Sequence, residues 1–407
     1  MPRVRAETAE GRVLDGRGGG TAVFARLNPI PVPVCIEGMV FRLVFVLGAG
    51  LLSGCATGST QTAAAPAAPA APVGLEQPAA QPALRWPVRT VPHVDLWLHS
   101  FAMLSDDSSA VPLYRRGYRD SITVIKNQRN LLTALDGNRE TLIKGLRRSG
   151  YLGAQFLPFG FANWEELRGS AEQFLQLAGD VRRAPSREAA IRMQQFASVF
   201  GSATDREWLR LFLTAVQDEG MRFFLPEHQR QLRERAATIT AVDSLWQKGY
   251  RDKFERFLSN SSQRQGDMVL SLPIGGEGRT GPGYTGRTMV AVTYPARPAD
   301  AVQVVLVFAH EATGALVGPV VSDNTTPAEQ RSGVADKYVS SAQVQAGAML
   351  LAKLAPELLA PYQRYYLAQS GQRVEGALAA SFERSFSLPG IIRDALSRQI
   401  DIVLSGI

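Results

Sequence analysis

Apolar residues recur at three- and four-residue spacing from residue 113 to residue 259, which is the period of helices that bury one face. The spacing is clearest in segments 120–135, 165–178, 186–200, 205–223 and 226–244. Asn163 and Thr204 each precede such a segment with acidic residues in its first turn, so both are expected to be N-caps. This part of the chain is therefore predicted to be a set of packed helices.

The pattern changes after residue 260. Segments 267–273 and 288–294 are short runs of apolar and β-branched residues, as in strands. The Gly-rich segment 275–286 separates them, so residues 268–272 and 290–294 are predicted to pair as an antiparallel hairpin with a long mobile loop. Helical spacing returns at 298–317, 341–354 and 389–404.

Segment 88–98 mixes β-branched and aromatic residues and predicts a strand or a strand that leads into a helix. Together the elements predict an α+β fold that is predominantly helical. A small antiparallel sheet or hairpin is expected to lie beside the C-terminal helices.

One apolar run, 43–52, stands out in the N-terminal region. It is too short to span a bilayer, which takes about 20 apolar residues, but it has the length of the apolar core of a secretory signal. Arg42 provides the positive charge before the run if translation begins at Met39. The run ends in Leu-Ser-Gly-Cys at Cys55, and an Ala/Pro-rich segment follows at once.

The Leu-Ser-Gly-Cys ending resembles the lipobox of bacterial lipoproteins. The resemblance implies cleavage before Cys55 and a lipid on its thiol, which would make the membrane the protein's first partner. Ala56 is not the aspartate of enterobacterial inner-membrane retention, so we expect the periplasmic face of the envelope, on the outer rather than the inner membrane. A core strand that ends in cysteine is the other interpretation, but it leaves the Ala/Pro segment unexplained.

Composition divides the chain into five segments. Residues 1–38 have no apolar periodicity and are interpreted as an over-extended, disordered start. Residues 39–54 are interpreted as the signal peptide, and residues 55–84 as the lipidated cysteine with an Ala/Pro-rich linker. Residues 85–260 form the mainly helical part. Residues 261–407 contain the predicted hairpin and further helices.

Charge and cysteine content narrow the possible chemistry. The 44 Lys and Arg and 37 Asp and Glu give a formal net charge of +7 without a basic cluster, so nucleic acid is not an expected partner. Removal of Cys35 with the leader and lipidation of Cys55 leave no thiol for a disulfide or a metal. Any metal would depend on carboxylates and on the four histidines, His93, His99, His228 and His310. His228 lies in a polar segment and is expected to be exposed.

His310 and Glu311 are the most specific candidates for chemistry. They lie in an apolar helical segment after the predicted hairpin, a layout that resembles the zincin metallopeptidases, where an edge strand precedes the active-site helix. The zincin motif is His-Glu-x-x-His. The resemblance implies that His310 is a zinc ligand and Glu311 the general base. Gly314 occupies the place of the second histidine, and residues 339–354 contain no acid that could be the third ligand of a glutamate zincin.

These departures leave three interpretations of the pair. It is an ordinary feature of a helix, a relic of a zincin site, or a working zinc peptidase site completed by distant residues such as His93 or His99. We therefore expect a lipid-anchored cell-envelope protein with a zincin-like domain that has lost activity and holds no cofactor, zinc being the less favoured outcome. The alternative is a non-enzymatic binding or scaffold lipoprotein. In either case an envelope protein or peptide is the expected partner.

Overall fold

The computed structural model describes residues 86–406, except 107, 108, 110, 150 and 262. Cys55, the signal peptide and the linker lie outside the described residues. The strands are β1 (Val88–Arg89), β2 (Gly266–Ser271), β3 (Arg279–Pro282) and β4 (Thr288–Thr293). Helices on the N-terminal side of β2 are α1 (Pro92–Leu104), α2 (Tyr118–Gln128), α3 (Ala134–Gly137), α4 (Arg139–Ser149), α5 (Trp164–Gln176), α6 (Arg187–Ala197), α7 (Ala203–Glu219), α8 (Leu225–Glu234), α9 (Ala236–Leu245) and α10 (Arg251–Asn260).

Helices on the C-terminal side of β4 are α11 (Val302–Ala312), α12 (Gly314–Asp323), α13 (Pro327–Arg331), α14 (Val334–Leu354), α15 (Leu359–Gln369), α16 (Leu378–Ser385) and α17 (Gly390–Ser405). The prediction of an α+β, predominantly helical fold is confirmed.

The sheet is mixed, with strand order β1-β2-β4-β3. Strands β1, β2 and β4 are parallel, with Met268 opposite Val290, so the predicted antiparallel pairing of 268–272 with 290–294 is wrong. The reason is an additional strand in the segment that was predicted to be a mobile loop. Strand β3 runs antiparallel to β4 on its outer side. The chain therefore reverses twice between β2 and β4, and the two strands run in the same direction.

The two faces of the sheet cover two separate hydrophobic cores. Met268, Leu270 and Val290 point into the C-terminal core, which α11, α14 and α17 help to build. Val269 and Ala291, from the alternate positions, point into the N-terminal core with residues of α1 and α7. Because both faces are covered, β2 and β4 are almost continuously apolar rather than alternating.

Two helix starts test the capping predictions. Asn163 is the N-cap of α5, as predicted, because its side chain accepts a hydrogen bond from the Glu166 amide (2.9 Å). The N-cap of α7 is Ser202 rather than Thr204. Ser202 and Asp205 each accept a hydrogen bond from the other's amide and so form a capping box. The helix therefore begins one residue before Thr204.

The segment Pro298–Asp323, with α11 and α12, is long and apolar enough to cross a membrane by length and composition alone. Within the fold, 72% of its most apolar window is buried. This burial is that of a core helix, since α11 packs between β4 and α14 in the C-terminal core.

Candidate active site around His310 and Glu311

The last turn of α11 brings His310 and Glu311 beneath the edge of the sheet. Every residue from Val304 to Ala312 is buried, because α11 packs on β4 on one side and on α14 on the other. His310 is 2% exposed and Glu311 is 6% exposed. The pair therefore lies inside the protein.

Neighbouring helices hold the His310 ring and its backbone. The ring stacks on that of Tyr366 from α15, with centroids 5.1 Å apart and an angle of 15° between the planes. The Tyr366 hydroxyl in turn donates to the carbonyl of Gly276 (3.1 Å). The His310 carbonyl accepts from the Thr313 hydroxyl (3.0 Å) and from Nε2 of Gln343 on α14 (2.9 Å). Contacts therefore hold both the ring and the backbone carbonyl of His310 in place.

Both oxygens of the Glu311 carboxylate accept hydrogen bonds from protein groups. Thr280 of β3 donates from Oγ1 to Oε2 (3.0 Å), and Nδ1 of His310 lies 3.1 Å from Oε1. Burial acts to raise the pKa of Glu311, but the hydrogen bond and charge of His310, together with the positive charge of Arg279, lower it below its ordinary value. Because an ionised carboxylate only accepts, His310 must carry its proton on Nδ1.

Two glycines allow the surrounding segments to approach this pair. A Cβ on Gly278 would lie 2.6 Å from Cγ of Glu311 and 2.8 Å from the carbonyl oxygen of Ala291. On α14, a Cβ on Gly347 would lie 3.1 Å from Cα of His310. The distances at Gly278 are shorter than real Cβ contacts, so this position requires glycine, whereas at Gly347 a side chain would force its neighbours to shift. The Gly-rich segment before β3 therefore packs directly on the candidate site.

The residues around His310 do not fit a catalytic zinc ion, which needs three protein ligands and a water molecule. Gly314 has no side chain that could bind a metal. A Cβ built on Gly314 would lie 2.9 Å from the amide nitrogen of Gln343. In the part of the chain that the structure describes, no three His, Cys, Asp or Glu side chains form a group that could hold a metal ion.

The other histidines lie in or against the N-terminal core, on the opposite face of the sheet from α11. His93 and His99 are both on α1, which is a helix where a strand was one of the predictions. Nε2 of His93 is within hydrogen-bonding distance of the carbonyls of Pro158 (3.2 Å) and Phe161 (3.0 Å). Neither histidine is brought to His310 as a further ligand.

His228 is only 1% exposed, which corrects the prediction that it lies on the surface. Helix α8 turns this residue inward, where Nε2 lies 3.2 Å from Oδ2 of Asp95 on α1. The ring also packs against Phe224, with centroids 5.4 Å apart. The polar segment around His228 therefore contains one residue that faces the protein interior.

A buried ionic network that no sequence motif marks lies between α1, α2 and α7. Oε1 of Glu219 lies 2.9 Å from Nε2 of His99, and Oε2 accepts from Nζ of Lys126 (2.8 Å) and from the Thr133 hydroxyl. Lys126 also pairs with Asp136 (2.5 Å). Burial acts to raise the pKa of Glu219, but His99 and Lys126 lower it to about 2.

A sequence signal for this network exists. Glu219 continues the apolar stripe of α7 three residues after Val216, and Lys126 follows the buried Ile122 by one helical turn. A charge on a buried helix face needs a partner of opposite charge. The spacing indicates burial, but it does not identify the partners, which are 93 residues apart.

An open cleft of about 740 Å³ lies between the Gly-rich segment and the helices α1 and α4. Its walls are partly apolar, with Leu104, Ile143 and Phe156, and partly charged, with Glu277 and Arg279. The guanidinium of Arg279 stands 5.4 Å from the centre of the Phe156 ring and pairs with Glu277. Arg279 therefore lines the cleft, and its positive charge also lowers the pKa of Glu311.

The chain matches no protein-family model, no curated protein and no solved structure.

Proposed function

We propose that this protein is a lipid-anchored protein of the bacterial cell envelope whose zincin-like domain has lost peptidase chemistry and acts by binding. The anchor part of the proposal rests on the Leu-Ser-Gly-Cys ending at Cys55 and on the Ala/Pro-rich linker after it. The domain part rests on the surroundings of His310 and Glu311.

The layout around α11 supports a relationship to zincins. An antiparallel edge strand, β3, precedes the helix that carries His-Glu, and Thr280 of that strand contacts Glu311. Helix α14 then passes behind the same turn, where Gln343 contacts the His310 carbonyl. In glutamate zincins a following helix supplies the third ligand. Here that helix offers an amide, which is a poor zinc ligand.

The state of Glu311 carries the proposal that peptidase chemistry has been lost. In a zinc peptidase the glutamate must face the metal-bound water that it polarises. Here one carboxylate oxygen accepts from Thr280 and the other from His310, and the side chain is buried behind Gly278. The carboxylate stabilises the packing of β3 against α11 rather than facing a substrate.

The cleft beside Arg279 favours binding as the remaining activity. Its volume of about 740 Å³ and its mixture of apolar and charged walls suit a peptide segment or a small molecule. An envelope protein that presents such a segment is the partner class we propose, and the lipid anchor would hold the cleft near the membrane.

Membrane fractionation of the Cys55→Ala variant tests the anchor. We expect the variant to leave the membrane fraction or to remain as an unprocessed precursor. Cys35→Ala is the matched control, because Cys35 lies before the expected cleavage point and its loss should change nothing. Wild-type fractionation and migration of Cys55→Ala would exclude lipidation at this cysteine.

Metal content and hydrolysis test the loss of peptidase chemistry. The full chain, purified in detergent and dialysed, should contain well under one equivalent of zinc and should not cleave protein substrates in a chelator-sensitive manner. Stoichiometric zinc that is lost in His310→Ala, with hydrolysis abolished by Glu311→Gln, would contradict the proposal. That result would mean that the site is completed by ligands from elsewhere in the chain.

A further inference from the structure

Two arginines converge on one backbone carbonyl at the end of β4. Arg115, which lies between α1 and α2, donates from Nη2 to the carbonyl oxygen of Tyr294 (2.8 Å) and to the Thr293 hydroxyl (3.1 Å). Arg235, which follows α8, donates from Nη1 to the same Tyr294 oxygen (3.2 Å). A neutral carbonyl carries only a partial negative charge, so two full positive charges share an acceptor that cannot neutralise them.

Neither guanidinium forms an ion pair with a carboxylate of the described residues. Glu227, the acid that lines the same cavity, is already held by Arg129 (2.8 Å) and by Arg230. Burial lowers the pKa of Arg115, and the charge of Arg235 lowers it further. Each guanidinium has five N–H donors, and most of these have no acceptor in the described part of the protein.

Two further acids lie near these arginines, and both face other groups. Glu234, next to Arg235, pairs with Arg230 (2.5 Å), and Asp95 is buried. Its Oδ2 atom accepts from the Leu272 amide (3.3 Å) and lies 3.2 Å from Nε2 of His228. It therefore lies beneath the wall formed by these two residues and makes no ion pair with Arg115 or Arg235, although its charge acts on Arg115 through space. The guanidinium of Arg235 stands 5.4 Å from the centre of the Tyr294 ring, and no carboxylate of the described residues forms an ion pair with either arginine.

The cavity that these arginines line has a volume of about 210 Å³. It lies where β2 and β4 end, with Leu272 and the Tyr294 carbonyl marking the carboxyl ends of two parallel strands. Ligands of open parallel sheets bind at this edge, outside the carboxyl ends of the strands. The opposite walls are apolar, with Ile122, Phe223 and Phe224.

We propose that this cavity binds a small organic anion, with a carboxylate or phosphate group between Arg115 and Arg235 and an apolar body against Phe224 and Leu272. Arginine is suited to such oxyanions because its planar fork donates two parallel hydrogen bonds. Tyr118 also lines the cavity, with its hydroxyl 2.9 Å from Nδ1 of His99. The site is separate from His310 and Glu311 and does not depend on the function proposed above.

Calorimetric titration of the full chain in detergent tests this site. The probes are benzoate, phenyl phosphate, inorganic phosphate and the neutral isostere benzamide, all at matched ionic strength. We expect benzoate or phenyl phosphate to bind and benzamide not to bind, and the tighter of the two anions identifies the headgroup. In Arg235→Gln the affinity should fall roughly tenfold or more, because a hydrogen-bonded charge is lost.

Arg233→Gln is the matched control. Arg233 is two residues before Arg235, is exposed and lies outside the cavity, so the change removes the same charge without touching the site. It should bind the anion as the wild type does. If Arg235→Gln does not fold, Arg235→Lys provides the same comparison, with weaker binding expected because the planar fork is lost. Equal heats for benzamide and both aromatic anions, or an equal loss of affinity in Arg233→Gln, would overturn the proposal.

Discussion

Two buried histidine–glutamate pairs lie on opposite faces of the sheet, and they differ in how they are held. His310 and Glu311 are neighbours in sequence and meet at the end of one helix. His99 and Glu219 are separated by 120 residues and meet between α1 and α7, where Lys126 adds a full positive charge. The first pair resembles a catalytic motif. The second is the more strongly ionic of the two.

The difference lies in what each glutamate compensates. Glu311 accepts from an imidazole and from the Thr280 hydroxyl, and both donors can adjust their hydrogen positions. Glu219 compensates a lysine ammonium, which cannot become an acceptor. We therefore expect the fold to depend more on the Glu219 network, which no sequence motif marks, than on the His310–Glu311 pair.

The largest expected effect is that of Glu219→Gln. The change leaves the buried Lys126 ammonium with Asp136 as its single carboxylate partner. Breaking a buried ion pair on one side costs about 3 to 5 kcal/mol when the other charge is left uncompensated, and because Asp136 still pairs with Lys126 we expect the lower end of this range. Urea denaturation should show a loss of this size in the free energy of unfolding.

Glu207→Gln is the control for Glu219→Gln. Glu207 also forms an ion pair, with Arg210, but its side chain is 72% exposed. An exposed pair contributes at most about 1 kcal/mol, so this variant should stay within about 0.5 kcal/mol of the wild type. Similar losses in the two variants would mean that burial does not distinguish the pairs.

Acidification should act through the same residue. The pKa of Glu219 is about 2 in the folded protein against an ordinary value of 4.5, so its contribution is fully present above about pH 4.5 and is lost as the pH falls toward 2. A shift of this size corresponds to a contribution on the order of 3 kcal/mol. The difference in unfolding free energy between wild type and Glu219→Gln should therefore shrink between pH 5.5 and pH 3. A constant difference would show that the pKa of Glu219 is not lowered in the fold.

Gly278→Ala tests how tightly β3 is packed on Glu311. The added methyl group would lie 2.6 Å from Cγ of Glu311 and 2.8 Å from a backbone oxygen that cannot move independently. Overpacking of this kind costs about 1 to 3 kcal/mol, which thermal or urea unfolding can measure. Gly169→Ala on α5 meets no atom within 4 Å and should be neutral or slightly stabilising. An unchanged Gly278→Ala would mean that the segment is not fixed on the site.

The same contrast explains how far the sequence predicts this molecule. Periodicity predicts the helices because one buried face repeats along the chain, and the cap at Asn163 is a local interaction. Strand direction is not local. The parallel pairing of β2 with β4 depends on β3, whose four residues include one glycine and one proline and resemble a turn.

Site residues follow the same rule. The adjacency of His310 and Glu311 is visible in the sequence, but their burial behind Gly278 depends on that strand. Arg115 and Arg235 come together only where β4 ends. Contacts between residues more than a hundred positions apart have no periodic signal, so chain topology has to be known before such a cluster can be found.

The smallest expected effect is that of Glu311→Gln. Glutamine keeps an oxygen for the Thr280 hydroxyl, and its amide can donate to Nδ1 of His310 if the imidazole proton moves to Nε2. Two hydrogen bonds to a charged group are then replaced by neutral ones, for which we expect a loss of about 1 kcal/mol in the free energy of unfolding. NMR of the ring nitrogens should show the change of tautomer at His310. A loss as large as that of Glu219→Gln, with the proton still on Nδ1, would mean that the Glu311 charge is as necessary to the fold as that of Glu219.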